Sequence, residues 1–114
     1  MRYTPLTRNS DFAGAYKRGK SYVHPHVVLY VNKSRAGHTR VGITASKKIG
    51  GAVVRNRARR VIRHALYQVL PQNIGPFDLV LVARGQTPRL KSGTLAATLQ
   101  KLMTSAHLRI GPPE

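Results

Sequence analysis

Between Arg40 and Arg63 stand eight cations, Arg40, Lys47, Lys48, Arg55, Arg57, Arg59, Arg60 and Arg63, and no acid. An ordinary solvated helix alternates Glu with Lys at i and i+4, each pair worth roughly 0.2–0.5 kcal/mol. Here Arg55, Arg59 and Arg63 stack like charges at that spacing, with no salt-bridge partner nearby in sequence. The run therefore points to a polyanionic partner, the alternative being a merely solvated basic face. Arg is favoured over Lys on the helix, as expected for phosphate oxygens, because a planar guanidinium donates two hydrogen bonds and also stacks on a base. Just upstream, Lys47-Lys48-Ile49-Gly50-Gly51 brings two ammonium groups and a flexible turn to a helix N-terminus, whose free N–H groups attract anions. It is not a nucleotide-binding P-loop, because the GxxxxGK[ST] spacing is missing.

Other chemistries find little to work with. The only acids are Asp11, Asp78 and Glu114, far apart in sequence, so a carboxylate pair or an acidic metal cage is not expected. There is no Cys, hence no thiolate nucleophile, disulfide framework or cysteine zinc site. His24, His26, His38, His64 and His107 show no metal-ligand spacing, and no protein-bound metal or cofactor is expected. Aromatic residues are few. Phe12 and Tyr16 lie one helical turn apart and Tyr30 sits in an apolar strand, so they are either core residues or a stacking platform for unpaired bases beside the basic helix.

These residues need elements to hold them. Thr7 or Asn9 could cap a first helix carrying Phe12, Ala15 and Tyr16 and stopping at Gly19, with Lys17 and Arg18 in its last turn. Alternation predicts a strand from His26 to Lys33 and a second from Arg40 to Lys47, joined by a polar loop as antiparallel neighbours. From Ala52 to Leu70 the apolar residues Val54, Ala58, Val61, Ile62, Ala65, Leu66 and Val69 recur at spacings of three and four, a helix whose remaining face is basic. The run Phe77 to Ala83 reads as a central strand covered on both sides. A last helix from about Ser92 places Leu95, Leu99, Leu102, Met103 and Ala106 inward. The order implies an α/β fold, a small sheet with helices against it, in which a helix between two strands makes a parallel crossover.

The whole chain has 114 residues, with 20 Lys plus Arg against 3 Asp plus Glu and a formal charge of +17. That length predicts one domain, residues 1–110, with a loose tail at 111–114. An apolar fraction of 41% supports a single core. No apolar run approaches a membrane span or a signal segment, and a cytoplasmic protein is expected.

The stretch Arg40-Val-Gly-Ile-Thr-Ala-Ser-Lys-Lys-Ile-Gly-Gly-Ala-Val-Val-Arg-Asn-Arg-Ala-Arg-Arg-Val-Ile-Arg63 closely resembles the signature of the protein subunit of bacterial ribonuclease P. The likeness extends upstream to Asp11-Phe12, Tyr16 and Val28-Leu29-Tyr30, and downstream to Ala83-Arg84, covering roughly residues 4 to 108. Ala58 departs from it, the family more often having a larger aliphatic residue there. The resemblance implies an α+β two-layer sandwich with a mixed four-stranded sheet, in the order α-β-β-β-α-β-α. It also implies a left-handed β-α-β crossover, against the general right-handed rule. It further implies that catalysis belongs to a large RNA subunit with bound Mg²⁺, while the protein docks on that RNA and holds the 5′ leader of precursor tRNA. By the same resemblance Arg40, Lys47, Lys48, Arg55, Asn56, Arg57, Arg59, Arg60 and Arg63 would contact RNA. Phe12, Tyr16 and Tyr30 would line the leader cleft, with Lys17 beside it. A ribosomal protein or RNA chaperone that assists no cleavage is the alternative that charge alone leaves open; the Ala52-to-Arg63 signature separates the two.

Overall fold

The computed structural model describes residues 4–34, 37–69 and 76–106. In chain order they form β1 (Thr4–Pro5), α1 (Asn9–Arg18), β2 (Lys20–Val23), β3 (Val27–Lys33), β4 (Arg40–Thr44), α2 (Ala52–Val69), β5 (Phe77–Ala83) and α3 (Ser92–Ser105). Short 3₁₀ turns at Lys47–Ile49 and Thr87–Arg89 precede α2 and α3. The predicted tail at 111–114 lies outside the described residues.

The sheet is mixed α/β in setting and has five strands in the order β1-β4-β5-β3-β2, one more than expected. The extra strand is β1, which pairs parallel with β4, Thr4 opposite Arg40 and Pro5 opposite Val41. Two residues are too few to display a strand period, and Pro is tolerated on an edge.

β5 takes the centre because it is apolar on both sides: Leu79, Val80 and Leu81 are all fully buried. It runs antiparallel to β3, Leu29 opposite Leu81, and parallel to β4, Val41 opposite Leu79. The expected pairing of β3 with β4 is therefore wrong, since β5 is inserted between them. A strand that must be covered on both faces cannot sit at an edge, and this requirement overrides the tendency of consecutive strands to pair. The parallel β4–α2–β5 unit is present as the helix between two strands demands.

Alternation gives the sheet two faces. Val27, Leu29, Val41, Leu79 and Leu81 point to the main core, closed by Ala58, Ile62, Ala65 and Leu66 of α2 and by Leu95, Leu99 and Met103 of α3. Ala58, small as it is, is completely covered. Leu6, Ala15 and Val80 form a second, smaller cluster under α1, with Phe12, Tyr30 and Val82 packed against it.

Two local expectations need correction. Neither Thr7 nor Asn9 caps α1; Arg8 stands at the N-cap without a side-chain hydrogen bond, and its carbonyl accepts the N–H groups of Asp11 and Phe12 at 3.1 and 3.3 Å. Val54 is exposed rather than inward, because the first turn of α2 overhangs the core and Val54 lies over Gly50. A Cβ on Gly50 would come within 2.9 Å of Val54, and its φ of 145° suits only glycine.

Candidate RNA interface

α1 lies across the smaller face of the sheet and is let down close to it by Gly42. A Cβ at Gly42 would overlap the Phe12 ring, at 2.7 Å from Cζ. One helical turn on, Tyr16 meets Tyr30 of β3, with ring centroids 5.0 Å apart and planes at 77°. Tyr16 remains 43% exposed, and Lys17 beside it is exposed. Phe12, Tyr16 and Tyr30 are thus brought together at one edge of α1.

The cross-strand register extends this edge. Thr44, Val82, Val28 and Val23 lie in one row across β4, β5, β3 and β2. The first three are half-buried, and Val23 is 66% exposed. Beside the Tyr16–Tyr30 pair there is therefore an apolar shelf of valines. No single residue marks it in the sequence. The signal was the apolar character of both alternating sets in β3, which acquires meaning only once α1 is seen to cover part of that face.

The basic helix carries Asn56, Arg57, Arg60 and Arg63 exposed, and Arg55 and Arg59 half-buried. Arg59 donates to the Asn56 side-chain oxygen at 3.0 Å. Among the described residues the Nε of Arg55 is buried with no hydrogen-bond partner. Lys47 and Lys48 are exposed in the 3₁₀ turn ahead of α2. Among the described residues none of these cations has a carboxylate partner.

Arg40 is different. Its Nε and one terminal nitrogen donate to the two oxygens of Asp78, each at 2.8 Å. The terminal nitrogens also reach Asp11 of α1 at 3.3 and 3.4 Å. The expectation that no acid reaches the basic run fails at this residue: Asp11 and Asp78, distant in sequence, converge on it. Asp78 is nearly buried, and its hydrogen bonds raise the Arg40 pKa above the usual guanidinium value, with burial opposing and Asp11 adding.

At the other end of β3, the β2–β3 turn carries a His pair. The His26 N–H donates to His24 Nδ1 at 3.0 Å, and the rings stand 4.5 Å apart. His26 Nδ1 is 2.8 Å from the hydroxyl of Thr98 on α3. Desolvation, then the charges of His26 and Lys101, lower the His24 pKa.

A cationic helix, a carboxylate-poor surface and an aromatic edge above a valine shelf define a small α/β RNA-binding protein. A family model described as Ribonuclease P matches residues 1–107. The chain is 38% identical to the ribonuclease P protein component of Clostridium botulinum, over 95% of this chain and 98% of that one. It is likewise 38% identical to that of Staphylococcus epidermidis, over 90% of each. The solved ribonuclease P protein of Staphylococcus aureus superposes with a TM-score of 0.73 at 28% identity, over 90% of this chain and 94% of that one. That of Thermotoga maritima gives 0.73 at 26%, over 89% and 96%. The chain belongs to the ribonuclease P protein family. Among the described residues no helix is long and apolar enough to cross a membrane.

Proposed function

We propose that this chain, as the protein subunit of ribonuclease P in tRNA 5′ maturation, binds the RNA subunit through the basic face of α2 and the 5′ leader of precursor tRNA through the cleft beside α1. Membership of the family supports the subunit role in an endoribonuclease. The single observation that carries the division of labour is the state of the carboxylates. Of the described carboxylates, Asp11 and Asp78 are both paired with Arg40, an arrangement that suits an ion pair better than a general base, while Arg57, Arg60 and Arg63 face solvent.

In this reading catalysis is carried by the RNA, and Mg²⁺ bound to that RNA supplies the hydrolytic chemistry. The protein's share is electrostatic and geometric. Its cations screen the repulsion between two polyanions. The exposed Arg57, Arg60 and Arg63 are placed to donate to phosphate oxygens. Phe12, Tyr16 and Tyr30 offer ring faces and edges to unpaired leader bases, Lys17 offers a charge to a neighbouring phosphate, and the valine shelf excludes water beneath them. Holding the leader orients the scissile phosphate and converts an encounter into a positioned reaction. The protein acts in the cytoplasm, where precursor tRNA is processed.

The test mixes the pure chain with precursor tRNA at low Mg²⁺, with and without the RNA subunit. The expected result is no cleavage by protein alone and faster leader removal when it joins the RNA. Cleavage by the protein unaided, or an RNA subunit indifferent to it at physiological salt, overturns the reading.

A further inference from the structure

Arg40 and Asp78 are register partners on β4 and β5, so the guanidinium is anchored in the sheet by two 2.8 Å bonds. The hydrogens left over reach outward to Asp11, the residue immediately before Phe12. Beyond the Phe12 and Tyr16 rings, α1 has few other holds on the sheet. The residues it buries fully are Gly14 and Ala15, which carry little apolar area, and its N-cap makes no side-chain hydrogen bond. The space on this side of α1, about 430 Å³, is lined by Asp11, Arg18, Asn32, Lys33, Arg40 and Asp78 among others, and by none of the aromatic residues of the cleft. The charge cluster and the aromatic edge therefore hold α1 at separate points.

A carboxylate beside a surface for a polyanion repels its partner, so Asp11 weakens simple electrostatic attraction. Its gain is geometric. We infer that Arg40, seated on Asp78, is a positioning residue that acts through Asp11: the Arg40–Asp11 contact sets the height and tilt of α1, and with it the Tyr16–Tyr30 spacing that receives the leader. Arg40 is then not an RNA contact, unlike the exposed arginines of α2. The inference rests on the proposed leader role of the cleft.

Two readings of Arg40 predict opposite signs for one substitution. Asp11→Asn removes a negative charge and frees part of the guanidinium. If Arg40 bound RNA directly, the variant would bind both precursor and leaderless tRNA more tightly. If Arg40 positions α1, the preference for precursor over leaderless tRNA falls despite the more favourable charge.

The experiment uses the holoenzyme reconstituted from this chain and the RNA subunit, with affinity measured for one tRNA with and without its leader. The chain is wild type, Asp11→Asn, Asp11→Glu or Arg40→Lys, each assayed below its own melting temperature. For Asp11→Asn and Arg40→Lys the leader preference is expected to fall by roughly threefold to tenfold, the loss of a partly exposed charge-assisted contact, and Asp11→Glu recovers part of it. Tighter binding of both RNAs by Asp11→Asn, or equal losses on both, overturns the inference. Tyr16-to-Tyr30 ring NOEs in the free protein supply a readout independent of the leader. They weaken in Asp11→Asn if the contact sets α1, and unchanged NOEs overturn it. A wild-type holoenzyme without leader preference refutes the reading of the cleft instead, and the NOEs then decide the positioning role alone.

Discussion

The rings of Tyr16 on α1 and Tyr30 on β3 meet at 77° with centroids 5.0 Å apart. An edge-to-face pair of this kind contributes about 0.5–1.5 kcal/mol beyond its burial, and the 43% exposure of Tyr16 leaves ring surface for a base. Tyr16→Leu is accordingly expected to cost the free protein about 1 kcal/mol in denaturant unfolding, while weakening binding of leader-bearing precursor more than of mature tRNA. Phe12→Leu costs more in stability, because Phe12 also seals the cluster of Leu6, Ala15 and Val80. Equal losses for precursor and mature tRNA in both variants would assign the aromatic residues to packing alone.

Gly19 and Gly42 set how close α1 and its exit come to the sheet, and they differ in what would have to move. At Gly19 a Cβ would meet two backbone oxygens, Ala15 at 2.5 Å and Val31 at 2.9 Å, neither of which can step aside without shifting the helix or β3. At Gly42 it would meet the Phe12 ring and, at 3.2 Å, a methyl of Leu6, which can rotate. Gly19→Ala is expected to lower stability by about 2–3 kcal/mol and Gly42→Ala by about 1–2 kcal/mol, within the range for overpacking. Both are expected to reduce leader preference, Gly42→Ala by displacing Phe12 and Gly19→Ala by shifting the end of α1 against β3. Thermal unfolding alongside precursor and mature tRNA affinities checks both statements.

How much of this was legible beforehand follows the range over which each signal acts. α2, α3 and β5 declare themselves through periodicity, because the spacing of Ala58, Ile62, Ala65 and Leu66, or the unbroken run at Leu79 to Leu81, is local. The aromatic and Arg-Asn-Arg residues could be named one by one from the family resemblance. What could not be read depends on pairing between distant segments. β5 comes late in the chain yet separates β3 from β4, and this alone brings Asp78 beside Arg40. Asp11 joins them only because α1 is laid over that row. The valine shelf is likewise a property of register, Val82, Val28 and Val23 coming from three strands. Val54 is exposed although its spacing predicts it inward, because helical spacing says which side a residue occupies, not where along its length the helix leaves the core.

The His24–His26 turn predicts a sensitivity to acid. His24 Nδ1 accepts the His26 N–H and must be unprotonated to do so, and desolvation with the nearby His26 and Lys101 lowers its pKa below the ordinary 6.5. The unfolded chain then binds the proton more readily, so stability rises with pH through this range. The contribution is fully present above about pH 6.5 and is lost as pH falls through the lower folded value. Melting temperature measured from pH 7.5 down to 5 is expected to decline, and His24→Asn to flatten that decline. An unchanged slope in the variant would assign the acid sensitivity to another group.

The basic face makes the most quantitative prediction. If about six phosphates are neutralised in the complex with the RNA subunit, affinity falls by roughly 10³ between 50 and 200 mM monovalent salt, since each released counterion adds close to one unit of slope. An apolar interface would barely respond. Arg57→Glu and Arg60→Glu each change the net charge by two, as does Arg89→Glu on the exposed turn before α3. If net charge alone governed binding, all three would weaken it alike. If the face of α2 is the contact, Arg57→Glu and Arg60→Glu lower affinity by roughly tenfold or more and reduce the salt slope by about one unit each, while Arg89→Glu leaves the slope near that of wild type. Salt titrations of the three variants therefore separate a general cloud of charge from a surface with defined phosphate contacts, and a common slope for all three would remove α2 from the interface.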